Sequence, residues 1–220
     1  MKPPVLLPPE ELTAMLDQVV LLDARQGDAL FAEGHLRGAR HADLNRDLST
    51  ADSRGFNPAL GGRHPLPDVL TFARTVGAWG IEAGTRVVVY DAAGGANAAA
   101  RCWWMLRSLG HTQVQVLDGG LQAALALGLR LSTERPKFTP FEPYPAPHWQ
   151  WTTVDIQVVE KLAPHSSWEL LDVRSPERYQ GYSEPFDPIP GHIPGAFNLP
   201  YTTNLQEDGR FRPQEELQEM

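Results

Sequence analysis

One segment of this chain occurs twice, and that duplication constrains the fold more than any other feature. LLDAR at Leu21–Arg25 leads through Phe31 to GHLRGA at Gly34–Ala39, and LLDVR at Leu170–Arg174 leads through Tyr179 to GHIPGA at Gly191–Ala196. The separation between paired segments grows by about eight residues in the second copy, as a surface-loop insertion would produce. Two homologous domains are expected: residues 1–131, a linker over 132–150, and a second domain over 151–220.

The first copy alternates strand and helix signals, the pattern of a mainly parallel α/β sheet flanked by helices. Val19–Leu22 predicts a short strand. Leu66–Trp79 carries apolar residues at helical spacing behind a Pro65-Leu66-Pro67-Asp68 start. TRVVVY at Thr85–Tyr90 is a continuous β-branched run, suited to a central strand buried on both faces. Ala98–Leu109 predicts a helix stopped by Gly110, Val114–Leu117 the next strand, and Leu121–Leu127 a short helix ending near Gly128. Prolines at 136, 140, 143, 145 and 147 forbid regular structure in the linker,. Its aromatic residues Phe138, Phe141, Tyr144 and Trp149 predict that it packs on a domain surface. A helix over Thr153–Leu162, capped by Thr152 or Thr153, opens the second copy.

Applied to the whole second copy, the repeat places the counterpart of Asp91 roughly 28 residues beyond Met220. The second domain is therefore expected to be partial within these 220 residues, without its central strand, the loop after it and the following helix. An open sheet edge and exposed apolar surface should then favour association.

Composition removes several function classes. The formal net charge is −8, from 19 basic and 27 acidic residues, which disfavours nucleic acid and anionic membrane as partners. The N-terminal apolar run, Val5 to Leu7, is too short for a signal peptide or membrane span, so a cytoplasmic location is expected. The single cysteine, Cys102, cannot form an intrachain disulfide, and no Cys/His spacing resembles a zinc site. Gly94-Gly95 lacks the flanking pattern of a dinucleotide or triphosphate loop. Neither a metal nor a cofactor is implied.

At these residues the chain resembles the two-domain rhodanese family, the thiosulfate and 3-mercaptopyruvate sulfurtransferases. The resemblance rests on LLDAR with AEGHLRGA, GRHPLP at Gly62–Pro67, VVVYD at Val87–Asp91, ARCWWMLRSLGH at Ala100–His111 and VLDGG at Val116–Gly120. The second copy adds LLDVRSPERYQG at Leu170–Gly181 and GHIPGAFNLP at Gly191–Pro200. The resemblance implies tandem rhodanese-like domains, the first catalytically silent. The second would carry a cysteine in a CGSGVT-like loop after its central strand, and no such loop occurs in this chain. It also implies a small anionic sulfur donor, a thiol or cyanide acceptor, and a monomeric full-length enzyme.

Sulfane-sulfur transfer needs a thiolate that attacks the donor, holds a persulfide and hands sulfur on. Asp91 stands at the nucleophile's position in the silent copy; its carboxylate can accept the same N–H groups but cannot carry sulfur. The resemblance places Arg178 where the family holds the anionic donor, a role its guanidinium fork suits. A surface pairing with Glu177 or Glu184 is the competing reading. SEPFDPIP at Ser183–Pro190 lacks the further arginine usual in mercaptopyruvate enzymes, which tilts the donor toward thiosulfate. Asp43 and His64 match positions lining the cleft in relatives, where they could assist proton transfer; structural roles are the favoured reading of both. His35 and His192 repeat in both copies and read as turn-stabilising; Asp23 and Asp172 repeat at strand ends and read as loop anchors. Cys102 shares a helical stripe with Met105, Leu106 and Leu109 and reads as core. Trp103 and Trp104, being adjacent, read as packing residues rather than one platform.

The expected function is sulfane-sulfur transfer by way of a cysteine persulfide, with the present chain lacking the nucleophile. A non-catalytic rhodanese-homology module that binds or regulates a partner is the alternative. A dual-specificity phosphatase would need a cysteine and arginine bracketing a phosphate loop, and neither copy has that pair.

Overall fold

The structure is a computed structural model that describes residues 3–57, 62–162 and 167–220. It divides into two compact units, residues 1–151 with 208–210, and residues 152–207 with 211–220.

The first unit holds a sheet ordered β1-β6-β5-β2-β4, every pair parallel. Its strands are β1 (Leu6–Leu7), β2 (Val20–Asp23), β4 (Arg40–His41), β5 (Val87–Tyr90) and β6 (Val114–Leu117). β3 (His35–Leu36) lies outside that sheet and pairs antiparallel with β7 (Leu131–Ser132). The helices are α1 (Pro9–Met15), α2 (Asp28–Glu33), α3 (Val69–Ala78), α4 (Ala98–Ser108) and α5 (Gly120–Ala126).

The continuous VVVY run works as predicted, because alternate residues point to opposite faces and both faces are covered. Leu22, Val87, Val89, Val114 and Val116 pack with Phe72 and Val76 of α3 and Met105 and Leu106 of α4. Leu21, Val88, Tyr90 and Leu117 pack with Leu12 of α1 and Leu121 and Ala124 of α5. The result is three layers, helix on sheet on helix, with Cys102 wholly enclosed in the α3–α4 side.

Several boundaries move for local reasons. α3 starts at Val69 rather than Leu66, because the Asp68 carboxylate accepts the Thr71 N–H at 3.0 Å and caps the helix there,. Thr85 precedes β5, its hydroxyl accepting the Glu82 N–H at 3.0 Å in a turn. Ser132 belongs to β7, so pairing continues into what was read as linker.

The remaining linker packs on the first unit through backbone as well as aromatic rings. Phe141 N–H donates to Gly77 O at 2.9 Å, Tyr144 N–H to Ala73 O at 2.9 Å, and Gln150 N–H to Ser108 O at 2.7 Å. The close approach explains the glycine within α3: a Cβ at Gly77 would lie 2.3 Å from the Glu142 carbonyl oxygen. Trp149 packs against Phe72 and Trp104, and Trp151 meets Trp103 and Trp104 edge-on.

The second unit repeats the start of the first. Its elements are α6 (Ile156–Leu162), β8 (Leu170–Asp172), α7 (Pro176–Tyr179), β9 (Ala196–Asn198) and α8 (Gln214–Glu219). α6 begins three residues later than predicted and is capped by neither threonine; the Asp155 carboxylate accepts the Val158 N–H at 2.9 Å. β8 pairs parallel with β9 in the register of the first copy: Leu171 faces Phe197 and Asp172 faces Asn198, as Leu22 faces Arg40 and Asp23 faces His41. The other edge of β2 carries β5. Among the described residues no strand occupies the corresponding edge of β8.

Burial follows that difference. Leu22 is fully buried whereas its counterpart Leu171 is 50% exposed, and Val173, Ile189 and Phe197 are exposed as well. Leu22→Ala should therefore cost about 2–5 kcal/mol of first-unit stability in urea unfolding, and Leu171→Ala below about 1 kcal/mol. Equal losses at the two positions would contradict this assignment of the core.

Candidate functional site

The carboxyl end of β5 delivers the chain into a tight loop, and Asp91 sits at its root. Its side chain is buried and accepts four backbone N–H groups: Ala93 and Gly95 on Oδ1, both at 2.8 Å, and Asn97 and Ala99 on Oδ2 at 3.2 and 2.9 Å. These amides leave the loop and the first turn of α4, where unpaired N–H groups favour an anion. The loop demands glycine at 95, whose φ is +88° and whose Cβ would meet Val116 Cγ1 at 2.6 Å and Leu117 O at 2.8 Å. The cradle can hold negative charge; a carboxylate cannot take up and release a sulfur atom.

The lone thiol offers no substitute. Cys102 is fully buried one turn into α4, and burial pushes its pKa well above the ordinary thiol value, so it is held as an unreactive core group,.

Asp43 and His64 meet through Asn45. The Asp43 carboxylate accepts the N–H groups of Gly27 at 2.6 Å and of Asn45 and Arg46 at 2.9 Å. Burial opposes its charge, but these amides together with the His41 ring hold its pKa below the usual carboxylate value. His64 Nε2–H donates to Asn45 Oδ1 at 3.0 Å. Burial, then the charges of Arg63 and Arg101, lower its pKa, leaving a neutral ring at neutral pH,. Arg101, which the sequence reading passed over, secures this group by donating to Leu48 O and His64 O, both at 2.9 Å.

A second device occurs in both copies. Arg25 forks onto the fully buried Asp23 carboxylate and donates to Gly34 O at 2.6 Å. Arg174 forks onto Asp172 and donates to Gly191 O at 2.6 Å. His35 Nδ1–H donates to Phe31 O at 2.8 Å with the two rings stacked at 3.9 Å; His192 does the same to Tyr179 O at 2.7 Å, stacked at 3.7 Å. In the first copy the Tyr90 hydroxyl adds to the clamp, donating to Asp23 at 2.9 Å and accepting the Leu36 N–H at 3.0 Å. The arginines of LLDAR and LLDVR were thus the missed members, and their recurrence in both copies was the signal.

Arg178 lies on α7 with its fork on Glu184, at 2.7 and 2.9 Å from the carboxylate oxygens, and 3.1 Å from Asp187. Arg174 also reaches Glu184, at 3.2 Å. The pairing lowers the Glu184 pKa, first through the Arg178 hydrogen bond. Beside this cluster a cavity of about 710 Å³ is lined by residues that include Leu171, Val173, Ile189 and Ile193. No cluster suited to a metal ion occurs among the described residues, and no helix among them is long and apolar enough to cross a membrane.

Residues 8–126 match the family model of the rhodanese-like domain. The chain belongs to the rhodanese family. Over 96% of its length it is 38% identical to a probable 3-mercaptopyruvate sulfurtransferase of Pseudomonas aeruginosa, of which it spans 76%. It is 33% identical to the 3-mercaptopyruvate sulfurtransferase of the rat, spanning 62% of that protein. Among solved structures, the 3-mercaptopyruvate sulfurtransferase of Leishmania major superposes with a TM-score of 0.75 at 33% identity, covering 98% of this chain and 60% of that one. The Escherichia coli enzyme SseA superposes with a TM-score of 0.74 at 25% identity, covering 99% and 82%. The α/β architecture of this rhodanese-family chain is the one its solved relatives share.

If the Asp91 loop stabilises an anion by its amides alone, Asp91→Cys should place a thiolate there with a pKa below the free-cysteine value of about 8.5. A thiolate-absorbance titration measures it, Cys102 remaining silent. A value at or above the free one would remove the electrostatic reading of the cradle.

Proposed function

We propose that this protein serves sulfane-sulfur transfer, from thiosulfate or 3-mercaptopyruvate to cyanide or a thiol, by way of a cysteine persulfide. In this reading the 220 residues supply a silent first domain and part of the second, over the ranges 1–131, 132–150 and 151–220. The nucleophile is not among them. The observation that supports it is the amide cradle of the Asp91 loop, built to hold an anion at the end of a central strand but filled by a carboxylate, while the sole thiol is buried elsewhere.

Arg178 is the residue proposed to bind the donor's negative end. Glu184 and Asp187 now occupy its fork, so a donor anion would have to displace or share those carboxylates. A single dianion would need further positive charge nearby to do so, because replacing a bidentate carboxylate only exchanges one charge-assisted pair for another. Asp43 and His64 are proposed as cleft-lining groups: a neutral imidazole with a depressed pKa can accept a proton from an acceptor thiol,. The absence of a basic residue in Ser183–Pro190 still favours thiosulfate slightly. The cytoplasm is the proposed location.

The purified 220-residue chain should form no thiocyanate from thiosulfate and cyanide above the protein-free rate, and Cys102→Ala should change nothing. Turnover abolished by Cys102→Ala would overturn the reading.

A specific observation favours a second reading, a non-catalytic rhodanese-homology module: the arginine fork is already satisfied within the second unit. Coding sequence that continues from Met220 into a strand and a cysteine-bearing loop would decide for the enzyme; a stop codon there would decide for the module. Under either reading the β8 edge that carries no strand among the described residues, together with the exposed Leu171, Val173 and Phe197, should drive concentration-dependent association. Sedimentation velocity across a dilution series should show it, and a monomer at every concentration would count against that edge being free.

A further inference from the structure

On the first unit, away from the Asp91 loop and the Asp43–His64 group, the antiparallel β3–β7 pair borders a cavity of about 340 Å³. Its lining includes Arg37, Arg40, Arg135 and Lys137, with Phe138 and a single carboxylate, Glu134. Four cations against one acid leave an excess of three positive charges at one concavity, in a chain whose overall charge is −8. The general negative field of the chain does not produce this; the local fold does.

The pairing pattern sharpens the contrast. Arg25, Arg46, Arg174, Arg178, Arg210 and Arg212 all form ion pairs, whereas among the described residues none of the four cavity cations has a carboxylate within ion-pair distance. Arg40 is the anchor. Its guanidinium is partly buried, lies 4.1 Å over the Phe138 ring and donates to the Trp79 carbonyl. An aromatic face and one carbonyl hold the group in place without neutralising it. Burial lowers its pKa with no acid to compensate. A desolvated, immobilised cation with free N–H groups at a concave surface is pre-organised for an external anion.

The two sides of the concavity come from distant sequence. Arg37 sits at the second position of the Leu36–Ala39 turn, closed by Ala39 N–H to Leu36 O at 2.9 Å with Gly38 at φ +81°. Arg135 and Lys137 follow β7, which is held beside that turn by the Leu36–Leu131 and His35–Ser132 pairs and by His35 Nε2 at 3.0 Å from Glu134 O. The pairing of these two strands therefore sets the spacing of the charges.

We propose that this cavity is a binding site for a compact polyanion of the pyrophosphate class, with Arg40 as the fixed contact and Arg37, Arg135 and Lys137 closing on its oxygens. The excess of three positive charges calls for a ligand with more charge than a single tetrahedral dianion. A guanidinium-rich lining suits phosphoryl oxygens, which accept forked pairs.

Inorganic pyrophosphate titrated calorimetrically into the full 220-residue chain should bind saturably, one per chain, more weakly at physiological than at low ionic strength but still measurably. Arg37→Ala and Lys137→Ala each remove an exposed side chain that forms no ion pair among the described residues, so they should leave the thermal midpoint unchanged and raise Kd about three- to tenfold apiece. Inorganic phosphate should bind more weakly than pyrophosphate. Loss of all binding at physiological salt, or a Kd indifferent to both substitutions, would overturn the site. Thiosulfate binding as tightly as pyrophosphate would overturn the phosphoryl assignment. These outcomes are independent of whether the chain supports sulfur transfer.

Discussion

The backbone N–H groups of a loop that leaves a buried parallel strand must find acceptors, because neither a neighbouring strand nor water reaches them. Here one side chain satisfies four of them. Asp91 draws the amides of residues 93, 95, 97 and 99 onto two oxygens, and in doing so fixes the turn, the start of α4 and the spacing of both from β6. The charge of the carboxylate is offset by the same amides, and among the described residues it forms no ion pair,. The geometry that makes the loop fold is thus also one that holds a negative charge at the end of the central strand.

The two copies of the repeat separate local from tertiary causes. The Asp–Arg fork, the arginine bond to the glycine carbonyl and the stacked histidine recur at nearly the same distances in both. Those features depend on residues close in sequence and need no central strand. Burial does not recur: Leu22 is enclosed and Leu171 half exposed, since enclosing that position requires β5 and the helices it brings. The motif is a local clamp, and the core is a property of the complete sheet.

Most of the first unit was legible from residue order. A β-branched run of strand length, helices bounded by Asp or Gly, and a glycine pair after the central strand left little freedom. The boundaries that moved did so where a side chain found a better backbone partner than the pattern implied, as with Asp68 at α3 and Asp155 at α6. The linker's aromatic content foretold packing, but not that Tyr144 N–H would bond Ala73 O across α3. Of the candidate residues, Asp91 was singled out by the family resemblance, whereas the meeting of Asp43 and His64 through Asn45 could not be read, because no periodic pattern in the sequence links those positions,.

By itself, residue order determined the recurrence of LLDAR and GHLRGA as LLDVR and GHIPGA, the layered α/β class and the burial of the only cysteine's helical stripe. These rest on periodicity and residue chemistry, which are local. Tertiary structure decided which charges are paired: Arg178 onto Glu184 rather than Glu177, Arg101 onto two carbonyls, and, among the described residues, the four cations of the β3–β7 face onto no acid. Long flexible side chains reach whatever the folded backbone brings within a few ångströms, and that distance is not written in their spacing along the chain.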